Sequence, residues 1–185
     1  TQEPSRGTTL EAVRIAKEAG ALISYDPNYR ASLWADTETA VAQMKAAIPL
    51  ADVMKVSDEE SLLLTGAGDY DEAADRLLES GLKLVAITLG SKGVLIATPE
   101  SRQTVGGFAV DAVDTTGAGD SFWGGFLSCY LGLEKEITEL TGEEMCRCAI
   151  TGNAVAGLCV QKRGGIPAIP TQEAIEEFIR ERTDR

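Results

Sequence analysis

Asp114-Thr115-Thr116-Gly117-Ala118-Gly119-Asp120-Ser121-Phe122 joins an extended, glycine-punctuated stretch to a strongly apolar helical one. Two glycines at a helix entrance let the backbone turn tightly and approach a ligand closely. The first N–H groups of a helix have no internal partner and carry the positive end of its dipole. Such a site suits an anion, above all one whose charge grows during a reaction. Asp120 falls in the first turn beside it, where a carboxylate can take the proton of a hydroxyl attacking a phosphoryl group. A glycine-rich turn followed by a dipole-favoured aspartate accounts for the same residues without chemistry. The run is not a P-loop, because G-x-x-x-x-G-K-S/T is absent. It is not a dinucleotide fingerprint either, because Phe122 stands where the third glycine belongs.

On either side of this run, helical and strand signals alternate. Thr8 or Thr9 is expected to cap a helix that Gly20 stops. A buried strand is expected over Ala21–Tyr25, then helices over Thr37–Ala47, Ser57–Leu64 and Tyr70–Ser80. Further strands are expected at Val53–Val56, Leu84–Leu89 and Val94–Thr98, with the stretch from Thr104 to Asp114 extended. Helices over Gly117–Leu131, Glu143–Gln161 and Gln172–Arg182 complete the pattern. Alternation with short links implies an α/β fold, a mostly parallel sheet flanked by helices on both faces. The chain opens on a helix with no strand before it, which gives an expectation of a truncated fold.

Net charge is −12 and there is no histidine. The acidic balance argues against a nucleic-acid partner. The missing histidine excludes a Ser-His-Asp or Cys-His site built from this chain. No apolar run approaches the ~20 residues of a membrane span, and no basic, apolar leader opens the chain. A cytoplasmic location is therefore expected. Cys129, Cys146, Cys148 and Cys159 contain no C-x-x-C pair and read as small hydrophobes. An anionic ligand would have to be held by local features: backbone N–H groups, a helix N-terminus, a few Arg or Lys, and a metal ion.

The run 114–122, with Gly124-Gly125-Phe126, resembles the C-terminal signature of ribokinase-like (PfkB-type) carbohydrate kinases, and of fructokinases in particular. The resemblance implies an anion hole at Gly117, Ala118 and Gly119, with Asp120 as catalytic base. Asp26-Pro27-Asn28-Tyr29-Arg30 resembles the D-P-N-x-R segment of fructokinases and 2-keto-3-deoxygluconate kinases, and Arg30 could supply positive charge to phosphate. Lys55-Val56-Ser57-Asp58-Glu59-Glu60 lies where the family has N-x-x-E. It implies that Glu60 organises magnesium waters and that Lys55 and Ser57 border the nucleotide, although Ser57-x-x-Glu60 is also a capping box. Thr88-Leu89-Gly90-Ser91-Lys92-Gly93 resembles the family's T-x-G-x-x-G nucleotide loop, which places Thr88, Gly90 and Gly93 on ATP; a hairpin turn explains it equally well. Asn153 and Gly164 fall where the family borders adenine. Backbone around Asp114, Thr116, Cys159, Lys162 and Gly164 falls where several members bind potassium.

The resemblance implies ATP-dependent phosphorylation of a sugar hydroxyl, with fructose as acceptor, 2-keto-3-deoxygluconate as the alternative, and a non-catalytic nucleotide-binding fragment as a reading of another kind. Residues 1–185 are expected to form one truncated C-terminal part of a kinase domain. It carries the ATP site and catalytic base, lacks the N-terminal part and lid, and is inactive without them. Mg²⁺, and K⁺ in some members, are the implied ions, and a homodimer of the full-length protein is one expectation.

Overall fold

The computed structural model describes residues 2–183, so Thr1, Asp184 and Arg185 of the expected 1–185 span lie outside the described residues. In chain order the regular elements are α1 (Ser5–Glu18), β1 (Ser24–Tyr25), α2 (Thr37–Ala47), β2 (Val53–Ser57), α3 (Asp58–Thr65), α4 (Tyr70–Glu79), β3 (Leu84–Thr88), β4 (Val94–Ala97), β5 (Arg102–Val105), α5 (Ala118–Leu131), α6 (Gly142–Cys159) and α7 (Gln172–Thr183). The strands form a five-stranded mixed sheet ordered β1-β2-β3-β4-β5, with β1 parallel to β2. The chain divides into two compact units, one running to Ile87 and including Ala97–Glu100, the other comprising Thr88–Ile96 and the residues from Ser101 on.

In the first unit the apolar strands form the core. Val53, Met54 and Val56 of β2 and Leu84 to Ile87 of β3 are fully buried, as expected for strands covered on both faces. The helices around them are stopped and started by local chemistry. Asp36 caps α2 through Thr39 N–H, and Asp69 caps α4 through Glu72 N–H. Gly66 ends α3 in the left-handed conformation at φ 68°. Two sequence expectations need correcting. Helix α1 starts at Ser5, before Thr8 and Thr9, whose hydroxyls bond back to Pro4 and Ser5 carbonyls inside the helix instead of capping it. Strand β1 is only two residues long, because Ile23 N–H is taken by the Asp52 side chain at 2.9 Å and not by a ladder carbonyl. Ala21 and Ser24 are exposed, so this segment is not the buried strand expected over Ala21–Tyr25.

In the second unit α5 lies directly on α6. A Cβ placed on Gly125 would come within 3.1 Å of Gly152 Cα, and one on Gly152 within 2.7 Å of Phe122 O. Only glycine on both helices permits this approach. Helix α7 packs on α6 through Ile175 and Phe178 against Ala154 and Val155, with Phe108 edge-on to Phe178 at 5.0 Å. Strand β5 begins before Thr104 and alternates exposed and half-buried residues; irregular backbone then runs from Gly106 to Gly117. Helix α6 opens one residue early, at Gly142, on a Thr141–Glu144 capping box that the sequence expectation lacks.

Candidate active site

Helix α5 is entered as its glycines suggest. Gly117 is the N-cap, left-handed at φ 77°, and a Cβ there would sit 3.1 Å from Gly165 Cα. The loop before it is tied to the end of α6. Val113 and Asp114 N–H both donate to Val160 O, at 2.7 and 3.1 Å. The Asp114 carboxylate accepts from Thr116 N–H through one oxygen and from Gly164 N–H through the other, each at 2.9 Å. The Gly164 and Thr116 bonds together hold its pKa down to about 2. Lys162 N–H donates to Cys159 O and the Cys159 thiol lies 3.9 Å from Gly165 O, so the segments named for potassium meet here. Asp120, the third residue of α5, is exposed, and its carboxylate makes no hydrogen bond or ion pair among the described residues.

Against the start of α5 lies a cavity of about 530 Å³, within the range of small-molecule sites. Thr88, Gly90, Gly93, Ala118, Gly119 and Asn153, all singled out from the sequence, line it. Gly93 sits at φ 104°, and a Cβ would come 2.0 Å from Val105 O, so the turn Gly90–Lys92 can lie on the end of β5 only with glycine there. Asn153 is buried, and its amide donates to Gly106 O at 3.0 Å and to Val105 O at 3.4 Å, fixing the backbone that borders the cavity. The remaining wall was not anticipated: Phe108, Val110, Ala156, Gly157 and Val160 make most of it apolar. A signal existed, since Asn153, Ala156, Gly157 and Val160 follow the i, i+3, i+4, i+7 spacing of one helix face. Gly117, Gly164 and Asp120 border the loop and helix start without lining the cavity.

The first unit holds the other sequence-marked residues. Lys55 is buried on β2 and pairs with Asp26 at 3.0 Å. Glu60 accepts from Ser57 N–H at 2.9 Å, while Ser57 Oγ accepts from Glu60 N–H at 3.1 Å, completing the capping box of α3. The other Glu60 oxygen accepts from Tyr29 N–H at 2.7 Å and so anchors the Asp26–Arg30 loop. Burial, then the charges of Asp26 and Glu60, push the Tyr25 hydroxyl up to about 12. Arg30 is exposed and donates to Tyr29 O. Among the described residues no three His, Cys, Asp or Glu side chains form a metal cage. Each Glu60 oxygen carries one N–H bond and keeps a lone pair, which fits a magnesium ion held through water but not directly.

These features define an α/β protein with an apolar cavity ending on a glycine-lined helix N-terminus that carries an unpaired carboxylate. The chain belongs to the pfkB family of carbohydrate kinases, whose sequence model matches residues 1–172. It is 44% identical over 181 residues to probable fructokinase-4 of Arabidopsis thaliana, covering 96% of this chain and 54% of that protein. It is 40% identical over 185 residues to putative fructokinase-8 of the same plant, covering 99% of this chain and 87% of the relative. A doubly substituted fructokinase of Vibrio cholerae O395, solved in a fructose-, ADP- and potassium-bound form, superimposes with a TM-score of 0.88 at 36% identity, covering 96% of this chain and 56% of that one. The fold is thus ribokinase-like. The chain spans about half the length of most of these relatives.

Proposed function

We propose that this chain is the C-terminal, ATP-binding part of a kinase that transfers the γ-phosphoryl group of ATP to a primary hydroxyl of fructose. The observation that carries the reading is the cavity that ends on Ala118 and Gly119, one residue before Asp120. The apolar wall and the Gly90–Gly93 turn would take the nucleoside. The N–H groups of Gly117 and Gly119 would face the transferring phosphoryl group, where preorganised donors act on developing charge; Ala118 N–H, which donates to Thr115 O at 3.1 Å, would join them only on leaving that carbonyl. As the sugar oxygen bonds to phosphorus and the bond to the β-phosphate breaks, Asp120 accepts the hydroxyl proton and ADP leaves. In a loose transition state such positioning outweighs the base itself.

Arg30 and Lys55 would supply positive charge, and Ser57, Asn153 and Gly164 would border the nucleotide; Lys55 would do so only on leaving Asp26. Glu60 would hold water ligands of a magnesium ion, which neutralises phosphate charge when bound. The loops joined by Asp114, with Thr116 and Gly164, would hold a potassium ion through their carbonyls. A cytoplasmic location and small-molecule substrates belong to the same proposal; among the described residues no helix is long and apolar enough to cross a membrane.

The 2-keto-3-deoxygluconate reading rests on the same D-P-N-x-R segment; fructose is favoured by the fructokinase relatives. The test is a phosphorylation assay of the full-length protein with MgATP and each acceptor. Fructose 6-phosphate as product supports the proposal, and turnover of 2-keto-3-deoxygluconate alone contradicts it.

A further inference from the structure

The contact between α5 and α6 places two thiols together. Gly125 and Gly152 meet where a Cβ on the former would lie 3.1 Å from the latter's Cα. One helical turn beyond Gly125 is Cys129, and one turn before Gly152 is Cys148, each on the face of its glycine. The Gly125–Gly152 and Cys129–Cys148 contacts run in opposite senses along the two helices, as in an antiparallel pair. Cys148 is fully buried and hydrogen-bonds Cys129, which is half-buried and reachable from solvent. Neither residue belongs to the cavity or to the α5 entrance.

We propose that Cys129 and Cys148 are an oxidisable dithiol, a modification site at which a hydroperoxide closes a bridge between α5 and α6. In the first step the Cys129 sulfur takes an oxygen from the hydroperoxide, giving a sulfenic acid and releasing an alcohol, or water from hydrogen peroxide. In the second, the Cys148 sulfur attacks that of Cys129, the S–O bond breaks, and water leaves with the Cys148 proton. Two thiols are oxidised and one peroxide is reduced. The order follows from the surroundings. Burial first, then the bond to Cys129, push the Cys148 thiol up to about 12, so it stays protonated and Cys129 reacts first. Contact between the sulfurs compensates for the poor nucleophilicity of Cys148, because the second step needs no encounter.

The bridge would lock the helix pair that carries Asp120 at the start of α5 and Asn153 midway along α6. The test is disulfide mapping of the intact, reduced protein after treatment with stoichiometric hydrogen peroxide, alkylation of the remaining thiols and digestion without reductant. The expected result is a Cys129–Cys148 peptide within one chain, two of the four thiols lost, and full recovery with dithiothreitol. The same bridge is expected in Cys146→Ser/Cys159→Ser. Accumulation of Cys129 as sulfinic acid beside alkylated Cys148, or linkage of either residue to Cys146, Cys159 or a second chain, would overturn the proposal. The wild-type mapping needs no variant and so does not depend on the double substitution folding.

Discussion

Gly93 and Asp114 show how single residues shape the cavity and the loops at the start of α5. At φ 104°, with Val105 O only 2.0 Å from any added Cβ, Gly93 has no substitute. Gly93→Ala is expected to cost about 2 kcal/mol or more, from backbone strain alone. By the usual scaling for a chain of this size that lowers Tm by roughly 4–8 °C. Calorimetry with an ATP analogue should show binding lost as the Gly90–Lys92 turn leaves β5. Asp114 makes a pH-dependent contribution. Its folded pKa of about 2 lies below the ordinary unfolded value near 3.9. The stability from its bonds to Gly164 and Thr116 is therefore complete above about pH 4 and is lost as pH falls through about 2. Asp114→Asn should lower the urea midpoint at pH 7, and the gap from wild type should narrow progressively below pH 4. A gap unchanged between pH 7 and pH 3 would mean that the carboxylate bonds are not what joins the loops.

Among the elements, α5 and α6 separate what a sequence displays from what only packing reveals. The start of α5 was legible as a helix entrance, because Gly117 takes the left-handed cap and Asp120 falls in the first turn as their order in the sequence suggests. The mate of Gly125 was not, since Gly152 reads as an ordinary weak point in a helix until its Cα is found only 3.1 Å from where a Cβ on Gly125 would sit. The cavity wall from Asn153 to Val160 was hidden for a related reason: an apolar helix face reads as core whether protein or ligand covers it. Lys55 was legible as a strand-end cation but not as the partner of Asp26, because that pair joins segments distant in sequence. Two substitutions separate these layers. Thr141→Ala removes the α6 capping box and should cost about 1 kcal/mol without altering ligand affinity. Gly152→Ala drives a methyl to 2.7 Å from Phe122 O and should cost about 1–3 kcal/mol as an overpacked contact, while also weakening nucleotide binding by shifting Asn153 against Gly106. Equal effects of the two on affinity would show that helix spacing does not set the cavity.

For the whole molecule, the proposed ATP chemistry on a chain of net charge −12 requires positive features placed locally, which backbone N–H groups and a cation would supply better than side chains. Potassium is accordingly expected to stimulate the full-length enzyme through the loops that Asp114 joins; equal rates with potassium and with a bulky organic cation would remove that site. The proposed phosphoryl transfer rests on Asp120. Asp120→Asn keeps a polar group in the first turn of α5, so stability should change by no more than about 1 kcal/mol. The amide cannot accept the hydroxyl proton, so turnover of the full-length enzyme should fall by roughly 10²–10⁴ while nucleotide affinity holds or rises slightly. The decisive measurement is kcat for fructose phosphorylation by this variant beside its Tm. A large fall in kcat with Tm nearly unchanged is predicted; kcat within about threefold of wild type, well short of the tenfold that 1.4 kcal/mol of barrier represents, would contradict the assignment of Asp120 as the base.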